Sequence, residues 1–62
     1  MNLKLQLENI DEVQAKALAQ LIKRIGWSDI RLNAADDGEA FQMTTAVTKL
    51  QDALARQGYT PQ

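Results

Sequence analysis

The densest group of side chains that could do chemistry in this 62-residue sequence is acidic and consists of Asp36, Asp37 and Glu39. Carboxylate oxygens are the ligands that hard cations prefer, so the group could hold Mg²⁺ or Ca²⁺. Asp36 and Glu39 also have the spacing of a helix capping box, and acids stabilise the first turn of a helix. The capping interpretation explains the spacing without a metal. We therefore predict no metal site and no cofactor.

Residues for nucleophilic and acid–base catalysis are scarce. Ser28 is the only serine, and the sequence contains no Cys and no His. A serine nucleophile needs an adjacent base, and His is the usual base near neutral pH. A chain this short also has little room for a substrate pocket. We expect Ser28 to serve in a turn or helix cap, and we expect the chain not to be an enzyme.

Charge and length limit the possible partners. The net charge of −1 is neither the basic footprint of a nucleic-acid-binding domain nor an acidic surface that mimics DNA. No signal peptide or membrane-spanning run is visible, so we expect a cytoplasmic protein. A single domain of residues 1–62 buries only about 60% of its unfolded surface. Because disulfides are excluded, we expect support from a second copy or from another protein.

The three aromatic residues, Trp27, Phe41 and Tyr59, are the candidate partner-binding anchors, because aromatic side chains dominate binding hot spots. Phe41 is the most informative of them. On a helical projection it lies about opposite Leu50, away from the apolar stripe of its helix. The preceding segment could wrap around and cover it, or it could remain exposed as an anchor.

The first eight residues alternate between leucine and polar side chains. Period two predicts a half-buried strand at about 2–8, with Leu3, Leu5 and Leu7 facing the helices. The opposite, polar face contains Asn2, Lys4 and Gln6. A lone strand is not stable, so it must pair with residues 30–33, with a second copy or with another protein. We favour pairing across a homodimer.

Two helices follow. Asp11 and Gln14 have capping-box spacing, and Gly26 is placed to end the helix in a left-handed conformation, which predicts a helix over about 11–25. Asp36 begins a second amphipathic helix over about 37–57, with Gly58 as its stop. Its apolar stripe contains Met43, Val47, Leu50 and Leu54. Residues 27–35 are predicted to be an irregular or short helical connection. The expected fold is α+β, mostly helical, with an antiparallel helix pair.

The order of strand, helix and Gly26-Trp27-Ser28 turn resembles ribbon-helix-helix transcription factors. The resemblance implies a dimer whose paired strands read DNA through Asn2, Lys4 and Gln6. The acids at 36–39 would repel phosphate, and the net charge is not basic. DNA binding is therefore the alternative rather than the preferred function.

A second similarity covers most of residues 16–61, through the stretches 25–29, 33–40 and 58–61. These stretches resemble a group of short uncharacterised proteobacterial proteins associated with plasmids and prophages. The resemblance implies a small mobile-element protein that binds and blocks host machinery. We expect a non-enzymatic protein-binding module, such as an anti-CRISPR or other anti-defence inhibitor that acts by occlusion.

Overall fold

The computed structural model describes residues 1–59, and these residues form three helices and no β-strand. Helix α1 spans Glu12–Arg24, α2 spans Trp27–Asn33 and α3 spans Asp37–Arg56. The predicted α+β class is therefore wrong, because the secondary structure of the described chain is entirely helical. The connection expected at 27–35 is mostly helix α2. None of these three helices has the length and hydropathy required to cross a membrane.

The start of α1 follows the predicted capping pattern. The Asp11 carboxylate accepts a hydrogen bond from the Gln14 backbone N–H at 2.8 Å. In return, the Asp11 backbone N–H donates to Gln14 Oε1 at 3.0 Å. This reciprocal pair satisfies two backbone donors that a helix start otherwise leaves without a partner.

The junction between α1 and α2 differs from the prediction for Gly26. Its φ angle is −106°, outside the left-handed region, and it is the N-cap residue of α2. Its N–H donates to the Asp29 carboxylate at 3.1 Å. This bond takes the place of the one that the Gly26 N–H would make to the Ile22 carbonyl if α1 continued. Helix α2 therefore begins directly after this glycine, but it is only seven residues long.

Helix α3 begins at the predicted N-cap, with a modified capping arrangement. Asp36 Oδ1 accepts from the Glu39 backbone N–H at 2.8 Å. Glu39 Oε1 accepts from the Ala35 N–H at 2.8 Å, one residue before the donor that a capping box uses. At the other end, Gly58 has a φ angle of +93°, and the chain leaves the helix there.

Helix α3 packs against both α1 and α2 and is the central element of the fold. It runs antiparallel to α1, because Gln51 contacts Ile22 while Tyr59 lies beside Glu12. The buried core consists of three alanines and two isoleucines, namely Ala15, Ala19, Ile22, Ile30 and Ala40. The predicted stripe of α3 is only half-buried. Three alanines among five core residues give a small apolar core.

Residues 1–8, here called the N-terminal arm, do not form the predicted strand. Leu3, Leu5 and Leu7 are 74%, 69% and 57% exposed, so they do not face the helices as predicted. Pairing within the chain is also absent, because residues 30–33 belong to α2. Alternation shows which side chains share a side, but a strand also needs a backbone partner, and no described segment supplies one.

Candidate protein-binding surface

A groove of about 380 Å³ lies between α2 and α3, and it is here called the α2–α3 groove. Its apolar lining consists of Ile25, Ile30, Met43, Ala46 and Val47, and its polar lining of Asp29 and Asn33. The α3 residues share one face of the helix, because they are spaced at i, i+3 and i+4. The apolar lining can accept aliphatic side chains, and the groove contains one negatively charged residue.

Phe41 is 64% exposed on the surface of α3, so it is not covered as one of the two interpretations of the sequence expected. The preceding segment forms the compact helix α2 and does not cover this ring. Phe41 lies one helical turn before Thr45, whose hydroxyl donates to the Phe41 carbonyl at 3.1 Å. This hydroxyl donor is therefore used within the helix, and the aromatic ring is the main feature available to a partner at this position.

The three predicted aromatic anchors do not form one site. Trp27 is 49% exposed at the first residue of α2. Tyr59 is half-buried and lies beyond the far end of α3, beside Glu12 and Lys16 of α1. Phe41 and the last residue of α3 are separated by about 22 Å of helix, at 1.5 Å per residue. Phe41 and Tyr59 therefore belong to different surfaces.

The acidic group at the start of α3 does not converge on a common point. Asp37 Oδ1 lies 2.6 Å from Arg31 Nε, while Asp36 and Glu39 accept hydrogen bonds from separate backbone N–H groups. Within residues 1–59, no three acidic side chains are arranged to hold a metal ion. Capping and an exposed ion pair account for these three carboxylates.

The polar residues proposed to read DNA are exposed in the N-terminal arm, namely Asn2, Lys4 and Gln6. They lack the strand that would present them side by side in a groove of DNA. Ser28 is exposed in the first turn of α2, where Gly26 rather than Ser28 is the N-cap.

Two features of the structure were not identified from the sequence. The first is the α2–α3 groove, which the shared helical face of Met43, Ala46 and Val47 could have indicated. The second is Gln51, whose side-chain amide contacts the carbonyl of Ile22 at 3.0 Å. No local pattern identifies that partner, because the two residues lie 29 positions apart.

Comparison with known proteins gives a family but no activity. No curated protein and no solved structure matches the chain. One family model matches residues 1–62, and it describes a family of unknown function. The chain belongs to this family, DUF7706, across its whole length.

Proposed function

We propose that this protein is a small non-enzymatic module that acts by binding other protein chains. The observation that carries the proposal is the surface that the chain leaves exposed. Its accessible area is 5265 Å². A compact monomer of the same mass exposes about 4,000 Å². The difference of about 1,300 Å² exceeds the ~800 Å² that each partner buries in a standard interface.

Much of this surface is apolar. Among the described residues, ten large hydrophobic side chains are exposed, whereas Ile22 and Ile30 are the only large ones in the buried core. Single exposed apolar residues are common on monomers, but three of these ten, Leu3, Leu5 and Leu7, lie close together on one short segment. Covering it with a protein partner would add to the small core of this chain.

Phe41 is the proposed anchor for a partner other than the chain itself. It combines high exposure with a position on the longest helix, which holds its backbone in place. Aromatic residues on rigid elements lose little conformational entropy on binding and fill partner pockets well. Trp27 is a second anchor, because it is half-exposed at the start of a neighbouring helix.

The finer form of the proposal is an inhibitor encoded by a mobile element, which blocks a host complex in the cytoplasm by occlusion. An anti-CRISPR or other anti-defence protein would act in this way. This finer form rests on the resemblance of residues 25–29, 33–40 and 58–61 to plasmid- and prophage-associated proteins that the sequence analysis proposed, and the matching family itself has no known function. The net charge of −1 is compatible with protein binding and unfavourable for contacts with DNA phosphates.

Affinity capture from host lysate tests the proposal. A C-terminally tagged chain is compared with Phe41→Ala and with Val13→Ala, a control residue that is also strongly exposed. We expect the wild type and the control to retain a protein complex after nuclease treatment. Phe41→Ala should retain at least about tenfold less, because hot-spot residues contribute more than ~1.4 kcal/mol. Unchanged capture by Phe41→Ala would contradict the anchor assignment.

The same capture separates protein binding from the DNA-binding alternative. Recovery of nucleic acid alone, lost after nuclease, would contradict the protein-binding proposal. In that case Lys4→Ala and Gln6→Ala should abolish a salt-sensitive gel shift on the promoter of the protein's own gene.

A further inference from the structure

We propose that the N-terminal arm of one copy docks in the α2–α3 groove of a second copy, and that the second copy's arm docks in return. The inference deepens the proposed function by naming the chain itself as one partner. It uses a surface other than Phe41, so the two proposals can succeed or fail separately.

The arm has the chemistry of a docking segment. Its three leucines are 57–74% exposed. No hydrogen bond joins the arm to a helix within residues 1–59. The arm therefore has no described hydrogen bond to a helix that would have to break before it could bind elsewhere. Burial of each leucine in an apolar site would be favourable in proportion to the area removed from water.

The α2–α3 groove has complementary chemistry. Ile25, Met43 and Val47, which are half-buried, provide apolar surface for the leucines. The ionisable residue of its lining is Asp29, which is exposed, and the arm carries Lys4 between Leu3 and Leu5. A Lys4–Asp29 contact between copies would add little affinity, but it would favour one direction of docking.

The length of the arm favours a second copy over the same chain. The arm joins α1 near Asp11, whereas the groove begins at Ile25, at the other end of that helix. Fourteen residues of helix span about 21 Å. Leu7 lies four residues before Asp11 and can reach only about 14 Å from it. Docking within one chain would therefore exclude Leu7, whereas docking in another copy has no such limit.

The exposed area is also sufficient for a symmetric dimer. Exchange of two arms is a two-fold arrangement in which the same two surfaces are used twice. A standard interface needs about 800 Å² from each partner, and each chain exposes about 1,300 Å² more than a compact monomer. The radius of gyration, 12.6 Å, exceeds the ~10.6 Å of a compact chain of this length. Arm exchange would cover part of this excess.

Light scattering across a concentration series tests whether the dimer exists and whether the arm forms it. We expect the wild type to become dimeric as its concentration approaches about 100 µM. The triple variant Leu3→Ser, Leu5→Ser, Leu7→Ser should weaken dimerisation at least about 100-fold, because three apolar side chains lose their burial. The control Asn2→Ser, Gln6→Ser changes the polar side of the same arm and should leave dimerisation unchanged. A monomeric wild type, or a triple variant that dimerises normally, would overturn the proposal.

A groove variant tests where the arm docks. Ala46→Glu places a charged side chain in the groove at an exposed position, so the core is not disturbed. It should abolish dimerisation, whereas Thr45→Glu, one residue away and exposed, should not. Circular dichroism establishes that all variants remain helical.

Mixing the two defective variants gives the decisive result. The triple arm variant keeps an intact groove, and Ala46→Glu keeps an intact arm. The mixture should form a heterodimer through one arm–groove contact. Because one contact supplies about half of the binding free energy, its Kd is about millimolar or weaker, and NMR of the labelled arm variant at millimolar concentration detects it. Unchanged chemical shifts at the groove residues Met43 and Val47 on addition of Ala46→Glu would overturn the arm–groove assignment. Capture of a host protein through Phe41 would be unaffected by that outcome.

Discussion

The side-chain amide of Gln51 in α3 donates a hydrogen bond to the backbone carbonyl of Ile22 in α1, at 3.0 Å. In a continuous helix that carbonyl would accept from the N–H of Gly26. Here the Gly26 N–H donates to Asp29 instead, because it begins the next helix. Gln51 therefore supplies the partner that the end of α1 would otherwise lack, and it joins two helices that are distant in sequence.

Replacing Gln51 by alanine should lower the free energy of unfolding by about 1–2 kcal/mol, because a part-buried carbonyl loses its donor. The control is Gln42→Ala, an exposed glutamine on the same helix, which should change stability by less than about 0.5 kcal/mol. Urea denaturation followed by circular dichroism measures both. Equal effects for the two variants would show that the Gln51–Ile22 bond contributes nothing specific.

Ala40 has no exposed surface, and the described core has no larger side chain buried so completely. Ala40→Leu adds three carbon atoms at this closed position and should destabilise the protein by about 1–3 kcal/mol through overpacking. Ala55→Leu on the exposed side of the same helix has similar helix propensity and should be nearly neutral. Thermal unfolding compares them, and a neutral Ala40→Leu would mean that the core around this residue can expand.

Divalent cations should not stabilise the fold. The carboxylates of Asp36, Asp37 and Glu39 contact three different partners, so a metal would have to displace those bonds. We expect no saturable change in melting temperature on titration with Mg²⁺, Ca²⁺ or Mn²⁺. A rise in melting temperature at micromolar metal would contradict this expectation if Asp37→Ala abolished it. The melting temperature of Asp37→Ala without metal is the control.

Residues whose partners lie three or four positions away could be predicted from the sequence. Asp11 caps α1 and Asp36 caps α3, because the capping bonds are local and depend on spacing alone. Gly26 shows the limit of that reasoning. A glycine between two helices can end the first or begin the second, and only the bond to Asp29 shows that it begins α2.

The conformation and exposure of residues that depend on partners distant in the sequence could not be predicted. The alternation of Leu3, Leu5 and Leu7 is typical of a strand, yet a strand forms only where another strand accepts its hydrogen bonds. No described segment does so, and the leucines remain exposed. The exposure of Phe41 likewise depends on whether residues 27–35 fold as a helix or wrap around α3. The spacing of apolar residues over nine positions is too short a pattern to distinguish these two conformations.

Alanine substitution at two glycines should have opposite effects on stability. Gly58 has a φ angle of +93°, which costs an L-residue strain, although a Cβ there would meet no atom within 4 Å. Gly58→Ala should therefore destabilise the protein by about 1 kcal/mol through the backbone alone. Gly38 is the second residue of α3, and a Cβ there would approach only Asp36 Oδ1, at 3.4 Å. Gly38→Ala should stabilise by up to about 1 kcal/mol, because alanine is the better helix former. Urea denaturation of both variants measures the difference. Shifts of the same sign would show that one of these two backbone assignments is wrong.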